Sequence, residues 1–129
     1  MALDPEVERF LAAHIHSVEQ LEVLLLLHRG GQREWSALDV SRELSSHPHS
    51  VESRLLDLRA RGLIEAREEG SGFSYRFAPP ANVVATVAAL QQAYSERRVA
   101  VITAIFAKPI DSIRTLADAF RIRDRREGT

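Results

Sequence analysis

The chain has 129 residues, 45% of them apolar and 27% charged, the proportions of a globular chain of one domain, with or without a dimerisation arm. It has no cysteine, which excludes disulfides, thiolate nucleophiles and thiolate metal sites together. Its formal net charge of −1 lacks the basic excess common among nucleic-acid binders, and no apolar run approaches the length of a membrane span.

The charge is unevenly placed. Residues 1–78 hold 9 Lys and Arg against 13 Asp and Glu, and residues 79–129 hold 8 against 5. The first residues show no charged segment followed by an apolar stretch, so no secretion signal is read and a cytoplasmic location is expected.

Asp4-Pro5 reads as an N-cap and first helical residue, with Glu6 and Glu8 in the positive first turn. Val7, Phe10, Leu11 and Ile15 recur at helical spacing, which predicts a helix over about 5–15. Ser17-Val18-Glu19-Gln20 is a capping-box pattern and opens a second helix over about 18–28, ended by Gly30-Gly31. Trp35 falls in a short strand. Ser36 to Asp39 starts a third helix, with Asp39 reaching back and Ala37, Val40 and Leu44 facing inward.

Ser45-Ser46-His47-Pro48 is a turn, and Pro48 suits the first turn of a fourth helix. Val51, Leu55 and Leu58 form its inner stripe and Gly62 ends it. Leu63–Arg67 and Phe73–Phe77 read as strands joined by a hairpin turn over Glu68 to Gly72. After Pro79-Pro80 a long helical pattern runs from about Asn82 to Lys108, and Pro109 breaks it. A last helix over about 109–123 carries Ile110, Ile113, Leu116, Ala117 and Phe120.

Two helices joined by a short turn, then a helix stop and a strand pair, form a helix-turn-helix followed by a wing. The stretch from Ser17 to Ala78, with Trp35, the terminating Gly62 and the hairpin, resembles the winged helix-turn-helix regulators of bacteria. With one helix ahead of it and two behind, the chain is most similar to the MarR type. The resemblance implies a mainly α fold with a small β-hairpin. Residues 1–78 would form an N-terminal helix plus winged core, and residues 79–129 a helical dimerisation region. It also implies a transcription regulator that binds double-stranded DNA as a homodimer.

On this reading, the helix from Pro48 to Arg61 enters the major groove. Advancing about 100° per residue from Val51 sets Leu55 and Leu58 within about 40° of it. The outward face then holds His49, Ser53, Leu56 and Ala60, flanked by Ser50, Arg54 and Asp57 on one side and by Glu52 and Arg59 on the other. The candidate DNA-binding residues are His49, Ser50, Ser53 and Arg54, which can reach base edges or phosphates, and the wing-flanking Arg67 and Arg76. Many MarR-type wings carry an aspartate-x-arginine pattern and a basic tip. Here that pattern is absent and the tip is Glu68-Glu69. The acidic tip keeps a second reading open: a winged-helix protein-interaction module that does not bind DNA and uses Leu56, its acidic wing or its C-terminal helices to hold a partner.

Val83, Val87, Leu90, Tyr94, Val101 and Ile105 lie on one seam of the predicted 82–108 helix. Such a helix of about 25 residues spans about 40 Å, longer than a small core can cover. Its outer half, Val99 to Phe106, is apolar on a wide arc. The seam therefore predicts a dimer interface of Leu90, Tyr94, Val101, Ile105 and Phe106, continued by Ile113, Leu116 and Phe120.

No phosphate loop, serine elbow or paired catalytic residues appear, so no enzymatic activity and no cofactor are expected. His14 and His16 point apart on a helix, and His47 and His49 lack a completing carboxylate cluster, so no metal site is assigned. His47 reads instead as a helix cap, and His49 as facing solvent or phosphate. Nothing in the sequence defines an effector pocket.

Overall fold

Side-chain caps set where the first four helices begin. In the computed structural model, which describes residues 3–107, the elements follow in the order α1 (Pro5–His14), α2 (Val18–Arg29), α3 (Ala37–Leu44), α4 (Pro48–Ala60), β1 (Ile64–Glu69), β2 (Gly72–Phe77), α5 (Ala81–Glu96) and α6 (Arg98–Phe106). The Asp4 carboxylate accepts the Glu6 N–H at 2.8 Å. Ser17 accepts the Gln20 N–H at 3.0 Å. The return bond at α2 is displaced by one residue, because Gln20 Oε1 accepts the N–H of His16 rather than of Ser17, at 2.7 Å. Ser36 and Asp39 close a full capping box at 3.0 and 3.3 Å, so the shorter aspartate suffices at α3. His47 does cap α4: its Nδ1 accepts the His49 N–H at 3.1 Å.

The end of α4 is as well defined. Gly62 takes φ +76°, its N–H bonds the Arg59 carbonyl, and the Leu63 N–H bonds the Leu58 carbonyl. This crossed pair is the Schellman arrangement, which favours a residue without Cβ at the left-handed position. It also turns the chain directly into β1. The hairpin pairs Ile64 with Phe77 through to Glu69 with Gly72. Its turn is shorter than the sequence pattern predicts, with Glu68, Glu69 and Gly72 in the strands and Gly70 at φ +60° as the first of two central residues. Trp35 adds a third rung to the sheet. It exchanges both backbone hydrogen bonds with Tyr75, at 2.8 and 2.7 Å.

Helix α2 is the centre of the fold. Leu21 and every residue from Val23 to Leu27 are buried, so the helix is apolar nearly all round, as a helix surrounded by others must be. It packs against α3, α4, α5 and β2. Val40 of α3 and the predicted stripe Val51, Leu55 and Leu58 of α4 are fully buried, while Leu44 is partly so.

The region after the wing departs from expectation. The predicted continuous helix over 82–108 is two helices, broken at Arg97, whose φ −135° and ψ 53° are not helical. The break redirects the chain at Arg97, and α1 lies against both α5 and α6. Val87, Leu90 and Tyr94 of α5 and Val101 and Ile105 of α6 are thereby buried in the same cluster as the winged core. Four residues assigned to a dimer interface, Leu90, Tyr94, Val101 and Ile105, thus already have their apolar surface covered within one chain. The assignment assumed a straight helix overrunning its core, and the break removes the overrun. Phe106 is 73% exposed. The other three, Ile113, Leu116 and Phe120, lie outside the described residues. Among the described residues, no single helix is long and apolar enough to cross a membrane.

Candidate nucleic-acid interface

Helix α4 presents three stripes with different fates. The inward stripe is the buried Val51, Leu55 and Leu58. A second stripe, Ser50, Arg54, Asp57 and Arg61, recurs at i, i+4, i+7 and i+11 and so lies along one side of the helix. It is tied to the start of α2. The Ser50 hydroxyl and the Arg54 Nε both donate to Glu19 Oε1, the latter at 2.9 Å. Gln20 Nε2 donates to Asp57 Oδ2 at 2.6 Å, and Arg61 Nε donates to the same oxygen at 3.1 Å. Arg61 also donates to the Ala13 carbonyl at 2.9 Å and lies 2.8 Å from His16 Nε2.

Gln20 is only 1% exposed, and its amide joins two elements: it accepts from the backbone before α2 and donates to α4. A buried amide needs this many partners to offset its desolvation. Burial pushes the Glu19 carboxyl upward, but the hydrogen bonds from Ser50 and Arg54 and the Arg54 charge outweigh it and hold its pKa below the ordinary value. Ser50 and Arg54, expected at the DNA, are therefore engaged in fixing the tilt of α4 on α2.

The third stripe is exposed. It consists of His49, Glu52, Ser53, Leu56, Arg59 and Ala60. His49 and Ser53 lie on this face as predicted. Arg59 sits with its guanidinium 5.8 Å from the Phe73 ring of the wing and makes no ion pair among the described residues. On α3, Arg42 is also exposed and makes no ion pair among the described residues. Neither is among the residues that the sequence pattern singles out. The helical wheel puts Arg59 on a flank. Arg42 lies about 200° from the inward Val40, and that phase alone is a signal that it points outward.

The wing arginines are paired. Arg67 forms a two-pronged contact with Glu34, Nε to Oε1 at 2.8 Å and Nη2 to Oε2 at 2.9 Å, and a looser one with Glu69 at 3.7 Å. Arg76 donates to Glu65 at 2.6 Å and to Gln32 at 3.5 Å. The hydrogen bonds from Arg67 and then Ser74 lower the Glu34 pKa, and Glu34 raises that of Arg67 in turn. Two-residue alternation puts Glu65, Arg67, Ser74 and Arg76 on the outer face of the hairpin, where Ser74 is nonetheless buried, and Ile64, Ala66, Tyr75 and Phe77 on the face toward the core. Burial, then the negative charge of Glu52, raise the pKa of Tyr75.

An outward helix held across a tight turn by a second helix, with a hairpin at its end, is a specific arrangement. The fold is a winged helix-turn-helix. Solved structures of that architecture share it. The homodimeric winged helix-turn-helix DNA-binding domain of a possible ArsR-family transcriptional regulator from Mycobacterium bovis is 25% identical, over 68% of this chain and 77% of its own, with a TM-score of 0.51. Reduced HlyU from Vibrio cholerae is 22% identical over 67% of this chain and 88% of its own, with a TM-score of 0.55. MepR, a transcription regulator of the Staphylococcus aureus multidrug efflux pump MepA, covers 93% of this chain and 90% of its own at 14% identity, with a TM-score of 0.53. No protein-family profile and no curated protein sequence matches the chain.

Proposed function

We propose that this chain is a homodimeric, sequence-specific DNA-binding transcription regulator of the cytoplasm. The observation that carries the reading is the exposed stripe of α4. Its His49, Ser53 and Arg59 are free to meet base edges or phosphates, while the neighbouring stripe is bolted to α2 and holds the helix at a set angle. Arg42 on α3 and Arg59 supply positive charge that forms no ion pair among the described residues. Phosphate contacts of this kind position a reading helix, and hydroxyl and imidazole groups on it discriminate bases.

Dimerisation is supported by α6. Its buried stripe is Val101 and Ile105, yet its other side carries Val99 at 78% exposure, Phe106 and the partly buried Ile102. These three are spaced i, i+3 and i+7, so they form one apolar face. A second copy would cover it, and two-fold pairing matches the symmetry of palindromic sites. The region 79–129 is accordingly the proposed dimerisation region. Within the winged-helix regulators, one helix ahead of the core and α5 and α6 behind the wing support the MarR type. The 25% identity to a possible ArsR-family domain, confined to about two thirds of the chain, supports the ArsR type for the core.

One observation favours a different reading, the interaction module: the wing tip carries Glu68 and Glu69, and the wing arginines are already paired. A fluorescence-anisotropy titration on genomic fragments at low and moderate salt decides between them. Saturable binding that weakens steeply with salt supports the regulator. No binding at low salt, by the wild type or by a Glu68→Gln, Glu69→Gln variant, transfers the reading to the interaction module.

A further inference from the structure

On the outer face of the wing, Arg67 and Ser74 together hold the Glu34 carboxylate. Glu34 Oε1 and Oε2 take the two prongs of the Arg67 guanidinium, and Oε1 also accepts the Ser74 hydroxyl at 3.1 Å. The backbone next to Glu34 is held in register. The neighbouring Trp35 is locked to Tyr75 by both backbone hydrogen bonds, which set Glu34 beside Ser74 on the outer face of the sheet. Beside the pair lies an open cavity of about 270 Å³ lined by Glu34, Glu65, Ala66, Arg67, Ser74 and Arg76. An arginine fork with a hydroxyl is equally matched to a phosphate, because carboxylate and phosphate offer the fork the same pair of acceptor oxygens.

We infer that Glu34 stands in for a DNA phosphate at Arg67 and Ser74, and that it keeps Arg67 from contributing to DNA affinity until it is displaced. This rests on the DNA-binding reading and adds a brake to it. The lowered pKa of Glu34 keeps the competitor charged at any pH near neutral. Glu69, at 3.7 Å from Arg67, adds weakly to the same competition, and Glu65 plays the corresponding part for Arg76. The brake is mild by nature, since exposed ion pairs favour their paired state by only about five-fold or less. A mild brake is still useful. It lowers attraction to every sequence alike and leaves the reading by α4 untouched, so discrimination between sequences is preserved.

The test is a double-mutant cycle on the full chain, read by anisotropy with short fluorescein-labelled duplexes of two unrelated sequences. Glu34→Gln should tighten binding to both by about three- to five-fold. It should also steepen the dependence of log affinity on log salt by about one unit, as one more phosphate contact requires. Arg67→Ala in the wild type should change affinity by less than about two-fold, because Arg67 is occupied. Arg67→Ala in the Glu34→Gln background should abolish the whole gain. Glu96→Gln, which removes the same charge from the end of α5, should leave affinity unchanged. Circular dichroism confirms that each variant is folded, and Glu34→Ala repeats the gain without an amide at the site. Saturable wild-type binding with no gain in Glu34→Gln overturns the inference and leaves the regulator reading standing. A gain that survives Arg67→Ala, or that Glu96→Gln matches, overturns it in the same way by reducing it to net charge. Failure of every variant to bind overturns both.

Discussion

Helices α4 and α6 each bury one apolar stripe completely, but their opposite sides differ. Behind Val51, Leu55 and Leu58, α4 turns His49, Glu52, Ser53 and Arg59 outward. Behind Val101 and Ile105, α6 turns out Val99 and Phe106, with the partly buried Ile102 between them. A buried stripe only says that a helix belongs to a core. The chemistry of the remaining surface says what the helix can meet next: a hydrated polyanion for α4, another apolar face for α6. The two also differ in how they are held. Polar bonds from Glu19 and Gln20 orient α4, whereas α6 buries its apolar stripe beside α1 and adds a looser pair from Arg98 to Glu22 at 3.4 Å.

Leu55→Ala should destabilise the fold by about 2–5 kcal/mol, the range for a truncated core leucine, measured by chemical denaturation. An unchanged midpoint would mean that the phase of α4, and with it the exposed stripe, is misassigned.

On α6, Val99→Ser with Phe106→Ser should convert a dimer into a folded monomer, as read by light scattering. Full burial of one such side chain contributes about 1.5–3 kcal/mol, so losing two exceeds what a weak dimer can tolerate. The melting temperature should then cease to depend on protein concentration. A wild-type chain that is already monomeric at micromolar concentration would sink the apolar-face argument.

The polar hold on α4 is smaller. Gln20→Ala should cost about 1–3 kcal/mol, since it removes the partner of the His16 N–H and one donor to Asp57. It should also weaken DNA binding beyond the stability loss, by loosening α4 on α2. Equal affinity in a folded variant would show that Asp57 and Arg61 suffice.

Smaller again is the acid arm. The folded pKa of Glu19 is depressed below 4.5, its ordinary value, so its contribution is complete above that range and is lost as pH falls through it toward the folded value. Glu19→Gln lacks this dependence. The stability gap between wild type and variant should therefore close as pH is lowered from neutrality to below 4.5 in urea titrations. A constant gap would mean that Glu19 acts through packing alone. Least of all, Ser53→Ala should leave stability within about 0.5 kcal/mol, because its side chain faces solvent. Its effect should fall instead on preference among DNA sequences.

Much of this architecture is local and legible in the sequence. Ser17, Ser36, Pro48 and Gly62 mark helix ends by caps and backbone preference that act within a few residues. The inward stripe of α4 follows from a 3.6-residue period. Outward placement of His49 and Ser53 follows from the same wheel. What the sequence could not decide depends on partners distant along the chain. Ser50 and Arg54 share a wheel flank with Asp57, and nothing local says that Glu19 and Gln20, more than thirty residues earlier, claim that flank. Arg67 and Arg76 read as free cations until the strand pairing sets Glu65 opposite Arg76 and the Trp35 bridge delivers Glu34 to Arg67. The break at Arg97 has no proline or glycine to announce it. The seam steps seven residues from Tyr94 to Val101 across it, a spacing that a straight helix also satisfies, yet α1 packs against both α5 and α6, and burying Leu90 and Val101 within one chain is a tertiary gain that no helical period encodes.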